Sequence, residues 1–302
     1  MPGFTETYAE IKETKPSGTR HRVRNATLDI LSAGIKNTLG YHRLLTKPRV
    51  QFLYLHHVFK DEEQALVKLL VGLSKYHHFI SYSEAWNRVM SGNIDKSYIA
   101  FSSDDGLKNN LKAASILKEF GASACFFICP SITGETDFEK IRLFSKERLH
   151  FPPVEFMNWH DIAQLQKEGH EIGSHTMSHI NIALAGQQEL IHEVGDSKKI
   201  LERECGSVQH FAYPYGKYFH FSSAGRQAVF KNDFVSCASA ERGCHISPPG
   251  GVSNQEDLLI RRDHIILDWP LDHIFFFLAR NSMKANITNN NFPGYADSHS
   301  YQ

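Results

Sequence analysis

Between residues 50 and 268, short apolar runs alternate with segments whose apolar residues recur at helical spacing. VQFLYLHHV (50–58) is almost continuously apolar, as expected of a strand covered on both faces. From Asp61 to Lys75 the pattern changes: Leu66, Leu69, Leu70 and Leu73 fall on one face of a predicted helix. YIAFSS (98–103) predicts a second strand, which ends in Asp104, Asp105 and Gly106. A helix over 107–120 stops at Gly121, where a left-handed C-cap is natural, and ASACFFI (122–128) resumes the sheet. Beyond a polar stretch over 130–155 come a helix over 158–168, the strand HEIGSH, a helix over 186–203, the strand VQHFAYPYG, and the apolar runs FVSCAS and LLIRRDHIIL. Strand and helix in turn predict a parallel sheet of roughly seven units. That number suits a barrel better than an open sheet, because the residues of chemical interest all fall just after a strand.

The flanks differ from this body. Residues 1–47 form a polar and weakly amphipathic extension, with a basic cluster at Arg20, Arg22 and Arg24 and with Leu28, Leu31, Ile35 and Leu39 at helical spacing. Such a stretch either docks on the body or makes weak peripheral contact with a membrane surface, and its modest charge favours docking. The main domain is expected over 48–280, followed by a polar, asparagine-rich tail over 281–302 that is expected to be poorly ordered. The long 130–155 segment predicts either a functional loop or disorder.

Composition narrows the functional classes. Thirty-three basic residues balance thirty-three acidic ones, so no global field recruits nucleic acid. The first 30 residues hold no apolar run of the signal-peptide kind, and no transmembrane stretch is evident, so a cytoplasmic protein is expected. Five cysteines, an odd number without close metal-type pairing, are expected to be structural thiols. There are no repeats and no glycine-rich phosphate fingerprint after a strand.

Two segments carry candidate chemistry. Asp104 and Asp105 are adjacent carboxylates at a strand end; either they form a solvated turn, or the corner lets one bind a metal while the other serves as a base. His175 and His179 in GSHTMSH have the four-residue spacing that puts two imidazoles on one side of a helical turn. Among 18 histidines such a pair also arises by chance. Together, two histidines and one carboxylate leave an open position on zinc or a similar ion, and the second carboxylate can accept a proton from water activated there.

At this point the chain resembles the polysaccharide deacetylases with a NodB-homology domain, carbohydrate esterase family four. Ser102-Ser103-Asp104-Asp105-Gly106 is similar to the first family motif, Thr-Phe-Asp-Asp-Gly, and His175-Thr176-Met177-Ser178-His179 matches the second fully. Ala212-Tyr213-Pro214-Tyr215-Gly216 matches the third except for its arginine. AWNRVMSG, ASACFFI and NWHDIAQLQKEGHEIGSH add likeness between the motifs, so that it spans about 50–268. The resemblance implies a distorted, incomplete (β/α)7-type barrel of the NodB-homology deacetylase fold. It implies Asp104 as general base and Asp105, His175 and His179 as ligands of a divalent metal: zinc first, with cobalt, nickel or manganese as substitutes. Pro214, Tyr215 and Gly216 would line the substrate groove with Tyr213, the Tyr215 N–H helping to hold an oxyanion; Tyr213 or Tyr215 as a core aromatic is the competing reading.

Two departures qualify it. Ala212 stands where the family carries the arginine that orients the base, and Arg262 is expected to substitute, although Arg261 and Arg262 also read as a solvated strand end. No histidine occurs in IILDWP, where many members carry the general acid. A branch with rearranged strand order takes that acid from a first strand of the form Leu-x-Tyr-His-x-Val. Here Leu53-Tyr54-Leu55-His56-His57-Val58 offers His56, with His264 as second candidate and His57 expected on the opposite face of the strand. The expected activity is removal of the N-acetyl group from an acetylated amino-sugar glycan or its precursor. The alternatives are hydrolysis of another amide, such as an N-formyl sugar or small imide, and a degenerate glycan-binding protein.

Overall fold

A computed structural model describes residues 3–14, 18–248, 250–285 and 292. Its strands are β1 (Arg49–Leu55), β2 (His78–Phe79), β3 (Ser97–Ser103), β4 (Ala124–Ile128), β5 (Glu171–Ser174), β6 (His210–Ala212), β7 (Ser236–Ala238), β8 (Leu259–Ile260) and β9 (Arg262–His264). They form one parallel sheet in the order β8-β7-β6-β5-β4-β3-β1-β9, with β2 added alongside β3. The two ends of this order are one chain segment: β8 pairs with β7, and after Arg261 the same segment continues as β9 and pairs with β1. The sheet thereby becomes a nearly closed, seven-stranded parallel barrel, the architecture expected from the strand–helix alternation.

Alternation along the strands sorts side chains between two cores. Leu53 and Leu55 of β1, with Ile99 and Phe101 of β3, point outward and bury the apolar faces of helices, Leu66, Leu69, Leu70 and Leu73 among them. Val50 and Phe52 point into the barrel and meet Phe127, Ala212, Ala238 and Ile260. Tyr82, Ala85, Trp86 and Val89 from the helix Tyr82–Ser91 belong to this inner cluster, so that helix stoppers the barrel at one end. The strands' C-terminal ends are left for chemistry, as is usual in parallel barrels.

The polar 130–155 stretch is ordered rather than a bare loop. Asp137 caps the helix Phe138–Phe144 by accepting from the Glu139 and Lys140 N–H groups, and the helix widens into a π-helical turn over Ser145–Leu149 before His150 ends it at φ 52°. Ile132, Ile141 and Val154 from this insertion, with Phe156 just beyond it, form a third cluster with Phe59, Leu107, Cys129 and the N-terminal residue Ile11. The Asp61 carboxylate accepts from the N–H groups of Tyr8 and Ala9 at 2.8 and 3.0 Å, tying the helix Tyr8–Thr14 to the rim of the barrel.

The expected amphipathic helix is present as Thr19–Thr38, but its buried face differs from the leucine stripe. Leu28 and Ser32 are buried and Ile35 packs on the core, whereas Leu31 and Leu39 are 47% and 42% exposed. The helix lies against Leu271–Lys284, to which Asp29 is tied through His273 at 2.7 Å. Among the described residues no helix is long and apolar enough to cross a membrane. All five cysteines are free thiols, four of them buried. The expectation of a poorly ordered tail falls, beyond Ala285, outside the described residues apart from Phe292.

Polar groups are buried where β1 meets the helices. The Arg49 guanidinium meets His77 Nε2 at 2.9 Å, and His77 Nδ1 donates to the Leu73 carbonyl at 3.1 Å, a pattern that requires a neutral imidazole. Burial first, and then the Arg49 charge, push the His77 pKa down to about 3. Unfolded histidine titrates near ~6.5, so the unfolded chain takes up a proton over a range in which the folded one does not. The stability contributed by neutral His77 is therefore fully present above the unfolded value and is lost as pH falls through that range. Urea unfolding of His77→Gln should show lower stability at pH ~7 and a shallower loss between pH ~7 and ~5 than the parent chain; equal slopes would contradict it.

Candidate active site

Asp104 and Asp105 follow β3 at its C-terminal end, and both are buried, at 3% and 6% exposure. Asp104 stays in register, its N–H donating to Leu55 O at 3.2 Å, while Asp105 turns to φ 74° and so sends its carboxylate a different way. A bent corner of this kind lets neighbouring carboxylates take separate roles, as the sequence reading required.

The Arg262 guanidinium grips Asp104 with both forks, Nη1 to Oδ1 at 2.7 Å and Nη2 to Oδ2 at 2.8 Å. Arg262 is fully buried, sits over the Tyr54 ring at 4.6 Å and donates through Nε to Ser239 O. The solvated-strand-end reading of Arg262 is thereby excluded. Burial opposes ionisation of Asp104, but the Arg262 charge and hydrogen bonds outweigh it and hold the carboxyl below its ordinary range. Arg261 points elsewhere, over the Tyr218 ring and bonded to its hydroxyl.

His175 and His179 do converge, though not by way of a helical turn. Residues 175–179 form an irregular loop in which Thr176 and His179 have φ 64° and 57°. The His175 Nδ1 donates to Ala212 O at 2.7 Å, aiming Nε2 inward, and the His179 N–H donates to the Thr176 hydroxyl at 2.9 Å. Glu193 anchors the loop from behind. Its carbonyl accepts from the Met177 N–H, and its carboxylate accepts from the N–H and hydroxyl of Ser178 at 2.9 and 2.6 Å. Glu193 lies in a π-helical turn, Ile191–Asp196, and nothing in the sequence pattern singles it out.

The Nε2 atoms of His175 and His179 stand 3.5 and 3.3 Å from Asp105 Oδ1, a buried oxygen that makes no hydrogen bond. Ligand atoms of the three residues lie within 4.8 Å of one another. Two imidazole lone pairs and an unsatisfied carboxylate oxygen facing one point have the donor set and approach of a divalent-metal site with an open position.

His56 stands just past the end of β1. Its Nδ1 is 3.0 Å from His264 Nε2, and the His264 ring stacks on Tyr54 at 4.8 Å. The two candidate acids are therefore one hydrogen-bonded pair, a link invisible to a sequence reading because 208 residues separate them. Burial foremost, and next the neighbouring His56, keep the His264 pKa well below its ordinary value. His57 bonds Glu62 at 2.9 Å and is flanked by the rings of Tyr8 and Phe151.

The third motif divides. Tyr213 is 1% exposed and stacks on Phe221 at 4.4 Å, so it is a core aromatic and not part of the groove wall. Pro214 and Gly216 are also buried; a Cβ on Gly216 would meet Ala240 Cβ at 2.2 Å and Ala240 N at 2.5 Å. Tyr215 alone faces outward, at φ 63°, its ring 4.9 Å from that of His179 and its hydroxyl donating to Arg148 O of the insertion. Trp159 packs on the outer core.

Residues 91–229 match the family model described as polysaccharide deacetylase. Over this region the chain is similar to the polysaccharide deacetylases. It is 33% identical over 128 residues to a chitooligosaccharide deacetylase of Azorhizobium caulinodans, covering 41% of this chain and 50% of that one. It is 23% identical over 219 residues to a peptidoglycan-N-acetylglucosamine deacetylase of Bacillus cereus, covering 71% of this chain and 59% of that one. The matched region thus spans between 50% and 59% of the length of those two relatives. In fold it is similar to the Streptococcus pyogenes deacetylase PplD in complex with acetate, at TM-score 0.60 and 15% identity over 77% of this chain and 99% of that one.

The buried Arg262–Asp104 pair makes a stability test. Arg262→Met strands a buried carboxylate and should cost about 3 kcal/mol or more in chemical denaturation. Adding Asp104→Asn to that variant should recover part of the loss. Additive single effects would show that the two side chains are not coupled.

Proposed function

We propose that this chain is a metal-dependent N-deacetylase that hydrolyses the acetamide of an acetylated amino sugar in a glycan or glycan precursor. The observation that carries the reading is the meeting of Asp105, His175 and His179 at one buried point, next to Asp104 held ionised by Arg262. Relatives whose names specify chitooligosaccharide and peptidoglycan N-acetylglucosamine support an N-acetylated amino sugar as the substrate class.

Asp105, His175 and His179 would hold the ion, with zinc the first choice for two imidazoles and a carboxylate. A divalent ion bound there supplies Lewis acidity to the acyl oxygen and to the attacking water. Asp104 is the group that takes the proton from that water as the new C–O bond forms, its orientation fixed by the two-pronged contact with Arg262. The Tyr215 N–H stabilises the oxyanion of the tetrahedral intermediate, on a turn that Gly216 packs against Ala240. His56 protonates the departing nitrogen as the C–N bond breaks, and its hydrogen bond to His264 fixes which ring nitrogen carries the proton to be delivered. The products are acetate and the free amine.

Acetate release from N-acetylated chito-oligosaccharides, together with bound-metal analysis, tests this. A chelator should abolish release and lower the melting temperature, with zinc restoring both. Asp104→Asn should keep the metal and lose about two to four orders of magnitude in kcat, whereas His179→Ala should lose the metal itself. A zinc-loaded protein that releases no acetate from any acetylated amino sugar would overturn the proposal.

A further inference from the structure

A file of rings leads from the metal-ligand cluster to the surface. The His179 ring lies 4.9 Å from Tyr215, Tyr215 lies 5.2 Å from His220, and His220 lies 4.2 Å from Phe219, each pair edge to face. At the outer end Phe219 is 62% exposed. The turn Ile182–Leu184, on the chain just past His179, packs beside the turn Tyr218–His220 and adds Leu184, 83% exposed. Isolated exposed apolar residues are ordinary on protein surfaces. Phe219 differs because the chain around it is pinned and it still faces out.

On one side Tyr218 is held by the Arg261 guanidinium, which lies over its ring and bonds its hydroxyl. On the other, Phe221 is buried and stacked on Tyr213. Within the turn, the His220 N–H donates to Lys217 O at 2.9 Å, and just before it the Ala240 N–H donates to Gly216 O at 2.8 Å. The backbone thus presents a large aromatic ring to water from a fixed position. The faces of pyranose rings carry axial C–H groups that stack on aromatic rings, and a ring held rigid before binding loses little conformational entropy on doing so.

We propose that Phe219, with Leu184 beside it, is a sugar-stacking subsite beyond the reacting position, reached across Tyr215, that grips a second residue of the glycan. Three steps of 4.2 to 5.2 Å separate the two ends of the file, so the Phe219 platform meets not the reacting sugar but a residue further along the same glycan. This rests on the deacetylase reading and adds to it the length of ligand that the site grips.

The test compares N-acetylglucosamine with its β-1,4-linked trimer as substrates. In the parent protein kcat/KM should be higher for the trimer. Phe219→Ala should lower the trimer-to-monomer ratio of kcat/KM by about three- to tenfold, chiefly through the trimer's KM, and Phe219→Trp should restore it. An unchanged ratio in Phe219→Ala would overturn the subsite while leaving the deacetylase reading intact. If the parent releases no acetate from either sugar, the deacetylase reading fails, and calorimetric binding of the trimer decides the subsite alone: weaker binding by Phe219→Ala supports it and equal binding overturns it. Loss of binding to anionic phospholipid vesicles in Phe219→Ala, with trimer binding unchanged, would instead make the platform a lipid contact and also overturn it.

Discussion

One strand shared between two neighbours closes this barrel. The segment from Leu259 to His264 pairs first with β7 and then, past Arg261, with β1, so the last strand is bonded on both sides only by changing partner midway. The site depends on that change. Arg262, the first residue after the switch, enters the barrel and reaches Asp104 on the far side of β1, while His264 arrives beside His56. A last strand paired to β7 along its whole length would leave Asp104 without its counter-charge and His56 without its partner. Closure of the fold and the pairing of Asp104 with Arg262 and of His56 with His264 are thus the same structural event.

The barrel and its alternation of strand and helix were largely legible in the sequence, because a parallel strand buried on both faces leaves an apolar run that surface chemistry does not dilute. Asp104, Asp105, His175 and His179 were legible because each lies just after such a run. Their mutual placement was less so. The spacing of His175 and His179 suggested a helical turn, and the chain uses instead a loop with two left-handed residues, a conformation to which propensity is blind. Tyr213 and Tyr215 are two residues apart in the same motif, yet one is packed on Phe221 and the other faces the groove; the turn at Tyr215, not residue type, decides which. The 130–155 stretch looked polar because its apolar residues, Ile132, Ile141 and Val154 among them, are spread between charged and polar ones and meet only in the folded state.

The site also stores backbone strain. Asp105, Thr176, His179 and Tyr215 all adopt positive φ without being glycine, and all four lie in or beside the Asp105–His175–His179 cluster. Such conformations cost on the order of 1–3 kcal/mol each and persist only where the surroundings over-determine them. Here the surroundings are identifiable: the Gly216–Ala240 contact behind Tyr215, the Thr176 hydroxyl under the His179 N–H, and Glu193 behind Met177 and Ser178.

Glu193 owes its aim to a π-helical turn, which makes one residue's worth of extra chain part of the candidate site's architecture. Each residue in an α-helix advances the side-chain direction by about 100°. Losing one residue from Ile191–Asp196 would restore a regular helix at little cost to its own hydrogen bonds and would swing the carboxylate away from Ser178. The loop that carries His175 and His179 thus hangs on one extra residue in a helix outside the barrel wall, while the strands around it do not.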